Sequence, residues 1–322
     1  MPKTRVLCVG CEVFARQIYL HAATSDRYSV DVVLLPRELH NHPQVLRRLI
    51  QEQIDSASQY QNEAENTAGK DVEDLCKPQG TRKRRGRGRG RGMGRIAAPR
   101  MGPYSLVLVA YGACGGGTVG LVCRGVPVVV LNRDDCASVL LGSCMARAEE
   151  CKKCPGTWYC HRGDVERRML GGNLHEVQGI FGPSAAPSKV AAAQGNEDFL
   201  HEEMERVIRS YSRLLYIKTS DEGDEEEEKD EVEWAHRQAA ANGWAFEVTR
   251  GTNELLKGLL GRDWPTSPAP PAGQALSACD PGEPDERPDG HSDFVVMTKS
   301  NEEITLVQDG DKMVLKVKSL GV

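Results

Sequence analysis

The sequence has few aromatic residues and no long apolar run. Phe, Trp and Tyr make up 5% of the 322 residues, so we expect a core of Val, Leu, Ile and Ala. The longest apolar stretches lie around 106–110 and 126–131, far short of the roughly 20 residues that a membrane-spanning helix needs. The run at 6–10 is shorter than the roughly 7–15 residues of a signal-peptide core. We therefore expect a cytoplasmic protein that does not enter a membrane.

Familiar catalytic patterns are also missing. The sequence contains no Ser-His-Asp order, no phosphate-binding P-loop and no His-Glu-x-x-His zinc motif. It does contain eleven cysteines. Without an export signal these cysteines are expected to be reduced thiols, so metal binding or catalysis is a better explanation for them than disulfide bonding.

The net charge of −5 conceals two opposed blocks of charge. Residues 82–100 hold nine Lys or Arg and no acid, whereas residues 221–233 hold ten acids and one Lys. The two blocks cancel, so the average charge does not indicate the partners of the protein. We expect the acidic block to be a solvated loop.

The basic block contains an Arg-Gly-rich run at 82–95 that could follow a phosphate backbone. RNA is therefore a candidate partner, contacted by Arg84, Arg85, Arg87, Arg89 and Arg91. Residues 82–85 also resemble a nuclear-import patch, which makes a nuclear location an alternative to a cytoplasmic one. No aromatic residues are interleaved for base stacking, and a solvated insertion is the competing interpretation.

Short apolar runs alternate with helical patterns in the first half of the chain. Four Val- and Leu-rich runs predict buried parallel strands, at 5–9, 30–35, 105–110 and 126–131. Helical spacing of apolar residues follows the first two runs, at 12–23 and 43–54. This order predicts an α/β fold with a Rossmann-like, mostly parallel sheet.

The second half repeats the same alternation, which predicts a sheet built from two similar halves. Predicted helices and strands lie in turn at 197–210, 213–217, 231–242, 244–249 and 253–260. A last strand at 293–298 precedes a terminal β-hairpin, formed by 303–308 and 312–318 around an Asp-Gly-Asp turn.

Long segments of low complexity interrupt this pattern. Insertions are predicted at about 61–103, 184–195 and 220–231, and residues 265–292 hold seven of the 17 prolines, as a linker does. We therefore divide the chain into an α/β domain at 1–264, a Pro-rich segment, and a final strand and hairpin at 293–322.

Chemically active residues follow each of the first four predicted strands. Cys11 follows the first strand, His40 the second, Cys114 the third and Cys136 the fourth. The carboxyl ends of parallel strands form the ligand-binding edge of such folds, so these residues are expected to lie close together. Neighbouring thiolates repel unless a cation neutralises them. Zinc or an iron–sulfur cluster held by the three cysteines fits that need, with His40 as a possible fourth ligand.

Other interpretations of these residues stay open. A buried cysteine is often an inert packing residue, and His40 could serve in helix capping. The glycines at 115, 117 and 120 match a dinucleotide motif, but the next strand begins too soon for the helix that the motif requires. They favour instead a close approach of the backbone beside Cys114. A second cluster, at Cys151, Cys154, Cys160 and His161, is a weaker zinc candidate.

Five motifs in order resemble those of the domain-of-unknown-function 1638 family (DUF1638). They are CEVFARQIYLHAA, VDVVLLPRELHNHP, LVLVAYGACGGGTVGL, GVPVVVLNRDDCASVLLGS and CPGTWY. The resemblance covers about 1–60, 104–182 and 196–264. Positions that match the family pattern are Cys11, Glu12, His40, Tyr111, Cys114, Gly117, Asp135 and Cys136, and Gly115 lies among them. Asp134 stands where the family has His, and five cysteines of the chain (Cys8, Cys144, Cys151, Cys154 and Cys160) have no counterpart there.

The resemblance implies an α/β domain without an established activity that accompanies corrinoid-dependent methyl transfer. Three hypotheses follow. The first is a metal protein whose open coordination position binds a small thiol, a methyl donor or a corrinoid-type substrate. The second is a non-catalytic metabolite-binding module whose Arg-Gly insertion contacts RNA. The third is an enzyme with a cysteine nucleophile, which requires one thiol of depressed pKa.

Overall fold

The computed structural model describes residues 3–68, 103–169, 208–219, 228–266, 292–309 and 312–320. The four predicted strands of the first half are confirmed as β1 (Thr4–Cys11), β2 (Tyr28–Leu35), β3 (Leu106–Ala110) and β4 (Val128–Leu131). These strands are parallel, in the order β2-β1-β3-β4. The fold is therefore mixed α/β with a mostly parallel main sheet.

Helices cover this sheet because its strands are apolar on both faces. Every residue of β3 and β4 is buried, as expected when helices lie on the two sides of a parallel sheet. A short 3₁₀ turn, Glu12–Phe14, leads into α1 (Ala15–Thr24), and α2 spans Pro43–Ala68. Helix α2 thus continues into the first predicted insertion, and most of that insertion lies outside the described residues.

The second half forms its own sheet and does not extend the first. Strands β5 (Thr157–His161), β6 (Arg213–Lys218) and β7 (Ala245–Arg250) are parallel in that order. The edge of the main sheet at β4 is occupied by the antiparallel strand β8 (Phe294–Met297), which comes from later in the chain, and among the described strands β5, β6 and β7 pair only with one another. We predicted one sheet built from two halves, whereas β5, β6 and β7 form a sheet separate from the main one.

Helices α3 (Cys136–Leu140) and α4 (Cys144–Lys153) connect the two sheets, and α5 (Arg162–Met169) follows β5. The predicted helices of the second half are present as α6 (Lys229–Asn242) and α7 (Glu254–Gly261), while the predicted helix at 197–210 lies mostly outside the described residues. The predicted terminal hairpin is confirmed as β9 (Glu302–Asp309) and β10 (Lys312–Ser319).

A buried polar contact fastens the second sheet to the first. At the end of β5, His161 Nδ1 lies 2.7 Å from the Asp164 carboxylate, and its Nε2 lies 2.9 Å from the Val13 carbonyl oxygen after β1. Arg37, after β2, pairs with the same Asp164 at 2.8 Å. Gly163 fits here because a Cβ at this position would lie 2.0 Å from the Val13 oxygen. These contacts hold the ends of β1, β2 and β5 together.

The acidic block is only partly within the described residues, and that part is not a solvated loop. Glu228 is 1% exposed and accepts a hydrogen bond from the Tyr216 hydroxyl at 2.9 Å. Glu231, in the first turn of α6, pairs with Arg162 at 3.1 Å. The expectation is wrong for these residues because each carboxylate has a specific buried partner. No helix of the described residues combines the length and the apolar character needed to cross a membrane.

Candidate functional site

A cavity of about 740 Å³ lies at the carboxyl edge of the main sheet. The chain places β2 on one side of β1 and then β3 and β4 on the other side, so a topological switch point lies between β1 and β3. Ligands bind at such switch points in open α/β sheets. Most of the predicted site residues line this cavity, namely Cys11, His40, Tyr111, Cys114, Gly115, Asp135 and Cys136. We call it the thiol cavity.

Cys11 is the last residue of β1 and is 6% exposed. The Tyr111 side chain is hydrogen-bonded to the Cys11 thiol, and its hydroxyl also donates to the Leu35 carbonyl at 3.3 Å. Tyr111 directly follows β3, and Leu35 ends β2. One phenol therefore connects the ends of three neighbouring strands around the first thiol.

Cys114 lies in a strained turn after β3. Its φ of 45° is in the left-handed region, which is uncommon for a residue with a side chain, and Gly115 follows with φ of 65°. The turn is fixed to the loop after β4, because the Ala113 and Cys114 amides donate to the carbonyls of Arg133 (2.6 Å) and Asp134 (2.8 Å). These bonds hold the second thiol beside the segment that carries the third.

Cys136 begins α3, and the preceding Asp135 caps this helix. The Asp135 carboxylate accepts a hydrogen bond from the Ser138 amide at 2.8 Å, and the Ser138 hydroxyl accepts one from the Asp135 amide at 3.0 Å. Arg147 of α4 lies 3.2 Å from the other carboxylate oxygen of Asp135. The cap therefore fixes the start of α3, and with it the third thiol.

The opposite wall comes from the second sheet and was not predicted. Tyr159 of β5 lines the cavity with its ring 4.0 Å below the Arg147 guanidinium, which also donates to the Tyr159 hydroxyl at 2.8 Å. Trp158 and Tyr211 lie beside it with ring centroids 5.0 Å apart. Arg37 lines the cavity as well. The CPGTWY motif was the one available signal, since it contains Trp158 and Tyr159.

The thiols of the cavity favour the protonated form. Burial raises the pKa of Cys11 to about 11, although a backbone hydrogen bond from Val13 and the charge of Arg37 partly oppose it. Burial, followed by the proximity of Cys11, raises the pKa of Cys114 above its ordinary value. Burial, followed by the Asp135 charge, raises the pKa of Cys136 in the same way. Without a bound cation, all three are neutral thiols at neutral pH.

The donor set fits a soft metal in its chemistry but is not assembled as a ligand shell. Cys114 interacts electrostatically with both Cys11 and Cys136, so the three thiols are neighbours. Across the described ranges, no three His, Cys, Asp or Glu side chains are grouped as ready metal ligands. Burial keeps the thiols of Cys11 and Cys114 protonated instead. Ligation would therefore require these side chains to turn and lose their protons.

Two predicted support residues lie outside the cavity wall. The Glu12 carboxylate accepts a hydrogen bond from the Arg37 amide at 2.6 Å, which positions the segment after β2. Gly117 allows the turn after β3 to approach α2, since a Cβ there would lie 2.5 Å from Leu46. The predicted RNA-contacting arginines all lie outside the described residues.

His40 is placed at the cavity but its ring is exposed, with Nδ1 2.6 Å from the Arg37 carbonyl oxygen. The second predicted zinc cluster is not brought together. Cys160 is buried in the apolar cluster under α6, and both ring nitrogens of His161 are hydrogen-bonded elsewhere. Cys151 and Cys154 lie near the surface at the end of α4.

The comparisons with known proteins identify a family. No curated protein and no solved structure matches the chain. The sequence profile described as "Protein of unknown function (DUF1638)" matches residues 96–260, which include β3, β4 and most of the second sheet and its helices. This match spans just over half of the sequence, and the resemblance noted in the motifs is confirmed: the chain belongs to the DUF1638 family.

Proposed function

We propose that the protein binds a soft metal, as zinc or an iron–sulfur cluster, through the thiolates of Cys11, Cys114 and Cys136. The observation that carries this proposal is the convergence of three thiols, from three different strand ends, on one cavity. Three thiolates at close range in a partly enclosed cavity would repel one another, and a cation removes that cost. The strained backbone at Cys114 is consistent with a functional position.

The surrounding residues supply orientation and charge to this site. Tyr111 orients the Cys11 thiol, and the Asp135 cap fixes the helix that begins with Cys136. Arg37 brings a positive charge near Cys11 and Cys136 that offsets part of their negative charge once ionised. His40, which lines the cavity, is the candidate fourth donor. A metal with an open position would activate a thiol or polarise a methyl donor as a Lewis acid.

The size of the thiol cavity favours a small substrate. Cavities of roughly 300–1,000 Å³ enclose drug-sized ligands, and this one has about 740 Å³. A complete corrinoid is larger than such a ligand, so it would present only an edge to the site. We therefore favour a small thiol or methyl donor inside the cavity, with a corrinoid-type partner outside it as the second possibility.

Metal analysis of the full chain tests the proposal. Protein produced and purified without oxygen is expected to contain about one zinc per chain, or iron with matching acid-labile sulfide. Elemental analysis combined with the ultraviolet–visible spectrum distinguishes these two cases. Cys114→Ala is expected to lose the metal, because one of three thiolate ligands is gone.

Cys123→Ser is the matched control. Cys123 is buried outside the cavity, and its thiol donates to the Val126 carbonyl at 3.2 Å, a bond that a serine can reproduce. This variant is expected to keep the metal. A folded parent chain without zinc or iron, after growth with both metals supplied, would overturn the proposal, as would equal metal loss in the two variants.

A cysteine nucleophile within the cavity is disfavoured, because burial raises the pKa of all three thiols. Three further expectations from the sequence remain predictions. They are RNA contact through 82–95, a cytoplasmic location, and a Rossmann-like relationship with two similar halves. The strand order β2-β1-β3-β4 supports a Rossmann-like relationship for the first half.

A further inference from the structure

Two cysteines at the end of α4 lie outside the thiol cavity. Cys151 is in the last turn of this helix and is exposed, and Cys154 is the residue that caps its carboxyl end. The cap forms because Pro155 disfavours helical backbone at the residue before it, and Cys154 is extended with φ of −151°. The pair therefore occupies a helix end that solvent can reach.

Their spacing suits a disulfide. The Cys154 amide still donates to the Glu150 carbonyl at 3.1 Å, so the chain keeps helical geometry up to this residue. Helical rise and radius then give a Cα–Cα separation of about 5 Å for residues three apart. Natural disulfides span roughly 4.4–6.8 Å between Cα atoms. The Cα spacing of Cys151 and Cys154 thus falls within the range of natural disulfides.

The surroundings of Cys154 stabilise its thiolate. The thiol lies 3.3 Å from the Ser212 hydroxyl, and hydrogen bonding to Ser212 and then to Thr157 lowers the pKa of Cys154. The carboxyl end of a helix dipole acts in the opposite direction. The positive charge of Arg213 makes a smaller contribution in the same direction as the hydroxyl groups.

Cys151 has a cationic neighbour as well. Arg147 lies one helical turn before Cys151 on α4. Lys152 and Lys153 lie between the two cysteines and are exposed. Lys153 pairs with Glu150 at 2.5 Å, so the positive charge that favours the approach of anionic reagents comes mainly from Lys152. A small disulfide that carries carboxylates, such as glutathione disulfide, fits the setting.

We propose that Cys151 and Cys154 form a redox-active pair, the surface dithiol, that exchanges with small disulfides in solution. The Cys154 thiolate attacks one sulfur of the small disulfide, whose S–S bond breaks as the first small thiolate leaves. Cys151 then attacks the Cys154 sulfur, and the second small thiolate leaves with the Cys151 proton. The two protein thiols lose two electrons and become a disulfide, while the small disulfide gains them and becomes two thiols.

Equilibration with glutathione and glutathione disulfide tests this proposal on the full chain. After acid quenching and alkylation, mass spectrometry of the peptide that contains both cysteines is expected to show loss of two hydrogens in oxidising mixtures. Excess glutathione is expected to reverse it. Cys151→Ser should stop at a glutathione adduct on Cys154, because no second thiol resolves it. Cys154→Ser should react about tenfold more slowly at Cys151.

Cys144→Ser is the control, since Cys144 starts the same helix and burial raises its pKa to about 11. This variant is expected to behave like the parent chain. A glutathione adduct that persists on Cys154 in the parent chain would overturn the proposal, and so would absence of reaction at both cysteines. The assay reads sulfur chemistry at α4 alone, so its failure leaves the metal proposal untouched.

Discussion

The thiol cavity and the surface dithiol place the same residue type in opposite environments. In the cavity, burial raises the pKa of Cys11 to about 11, and the same cause acts on Cys114 and Cys136. At the end of α4, hydrogen bonds from hydroxyl groups lower the pKa of Cys154. Desolvated, neighbouring thiols need a cation to ionise, whereas hydrogen-bond donors favour the ionised form of the Cys154 thiol. The comparison separates metal chemistry from sulfur exchange within one chain.

The difference in pKa between Cys11 and Cys154 predicts a large difference in their alkylation rates. For Cys11, a rise in pKa from 9.0 to about 11 lowers the thiolate fraction at neutral pH about a hundredfold. Its 6% exposure slows access further. In metal-free protein at pH 7, iodoacetamide is expected to modify Cys154 at least about a hundredfold faster than Cys11. Peptide mass spectrometry at timed intervals measures both rates.

The pH profile sharpens the same comparison. Alkylation of Cys11 is expected to climb steadily up to about pH 11, where its thiolate becomes the major form. Alkylation of Cys154 should level off at a lower pH than that of an ordinary cysteine, because its pKa is lowered. Similar profiles for the two residues would contradict the proposed difference in their environments.

The next prediction concerns His161, whose loss is expected to lower both the stability of the fold and metal binding at the thiol cavity. His161→Ala removes the buried ring that joins Asp164 to the Val13 carbonyl, and it leaves two acceptors without that partner. We expect the free energy of unfolding to fall by about 2 kcal/mol. Metal retention should fall with it, because Val13 follows Cys11 and Asp164 pairs with Arg37 at the cavity. Chemical denaturation and elemental analysis measure the two effects.

The exposed His236 of α6 provides the control for this change. His236→Ala removes an exposed ring whose centroid lies 5.0 Å from that of Phe246. It should cost less than about 1 kcal/mol. In both variants, the exchange reaction of the surface dithiol is expected to continue under native conditions. Equal destabilisation by the two substitutions would contradict the role of His161 in holding the two sheets together.

The sequence predicted the half of the cavity that depends on local pattern. Apolar runs identified β1, β3 and β4, and the rule that carboxyl ends of parallel strands share an edge brought Cys11, Cys114 and Cys136 together. Each step used only residues close in the chain and a general property of parallel sheets. That is why these three positions were accessible without a structure.

The other wall depended on long-range packing that no local pattern specifies. Strand β5 has five residues and ends in His161, so it lacks the apolar run that marked β1 to β4. Helix α4, which carries Arg147, has no buried residue and therefore no apolar face to detect. His161 was grouped with the cysteines of α4 because of its position in the chain. In the fold, its ring instead faces Val13, 148 residues away in the chain.

Asp135 lines the thiol cavity and pairs with Arg147 of α4, so its substitution measures how much these contacts stabilise the fold. Asp135→Ala removes the helix cap of α3 and the ion pair with Arg147. We expect a loss of about 1 kcal/mol in the free energy of unfolding. Asp135→Asn keeps an oxygen for the cap and loses only the charge, so it should cost about half as much. Thermal unfolding of the two variants, compared at one pH, checks this order.

A smaller effect is expected from the lysines that lie between the two cysteines of the surface dithiol. Both side chains are exposed and attract an anionic disulfide only through solvent, so the effect on its approach is modest. In Lys152→Ala/Lys153→Ala, the rate of exchange with glutathione disulfide is expected to fall about twofold at low salt. The rate with a neutral disulfide such as hydroxyethyl disulfide should stay unchanged, because that reagent carries no charge.

Added salt provides the internal check on this prediction. At an ionic strength of about 1 M, the Debye length shrinks to about 3 Å, so the parent chain and the double variant should react with glutathione disulfide at the same rate. A twofold difference that persists at high salt would mean that the lysines act through packing at the end of α4. If the difference in rate disappears at high salt, the lysines act through their charge. The metal content of the thiol cavity should be identical in the two proteins, since neither lysine lines it.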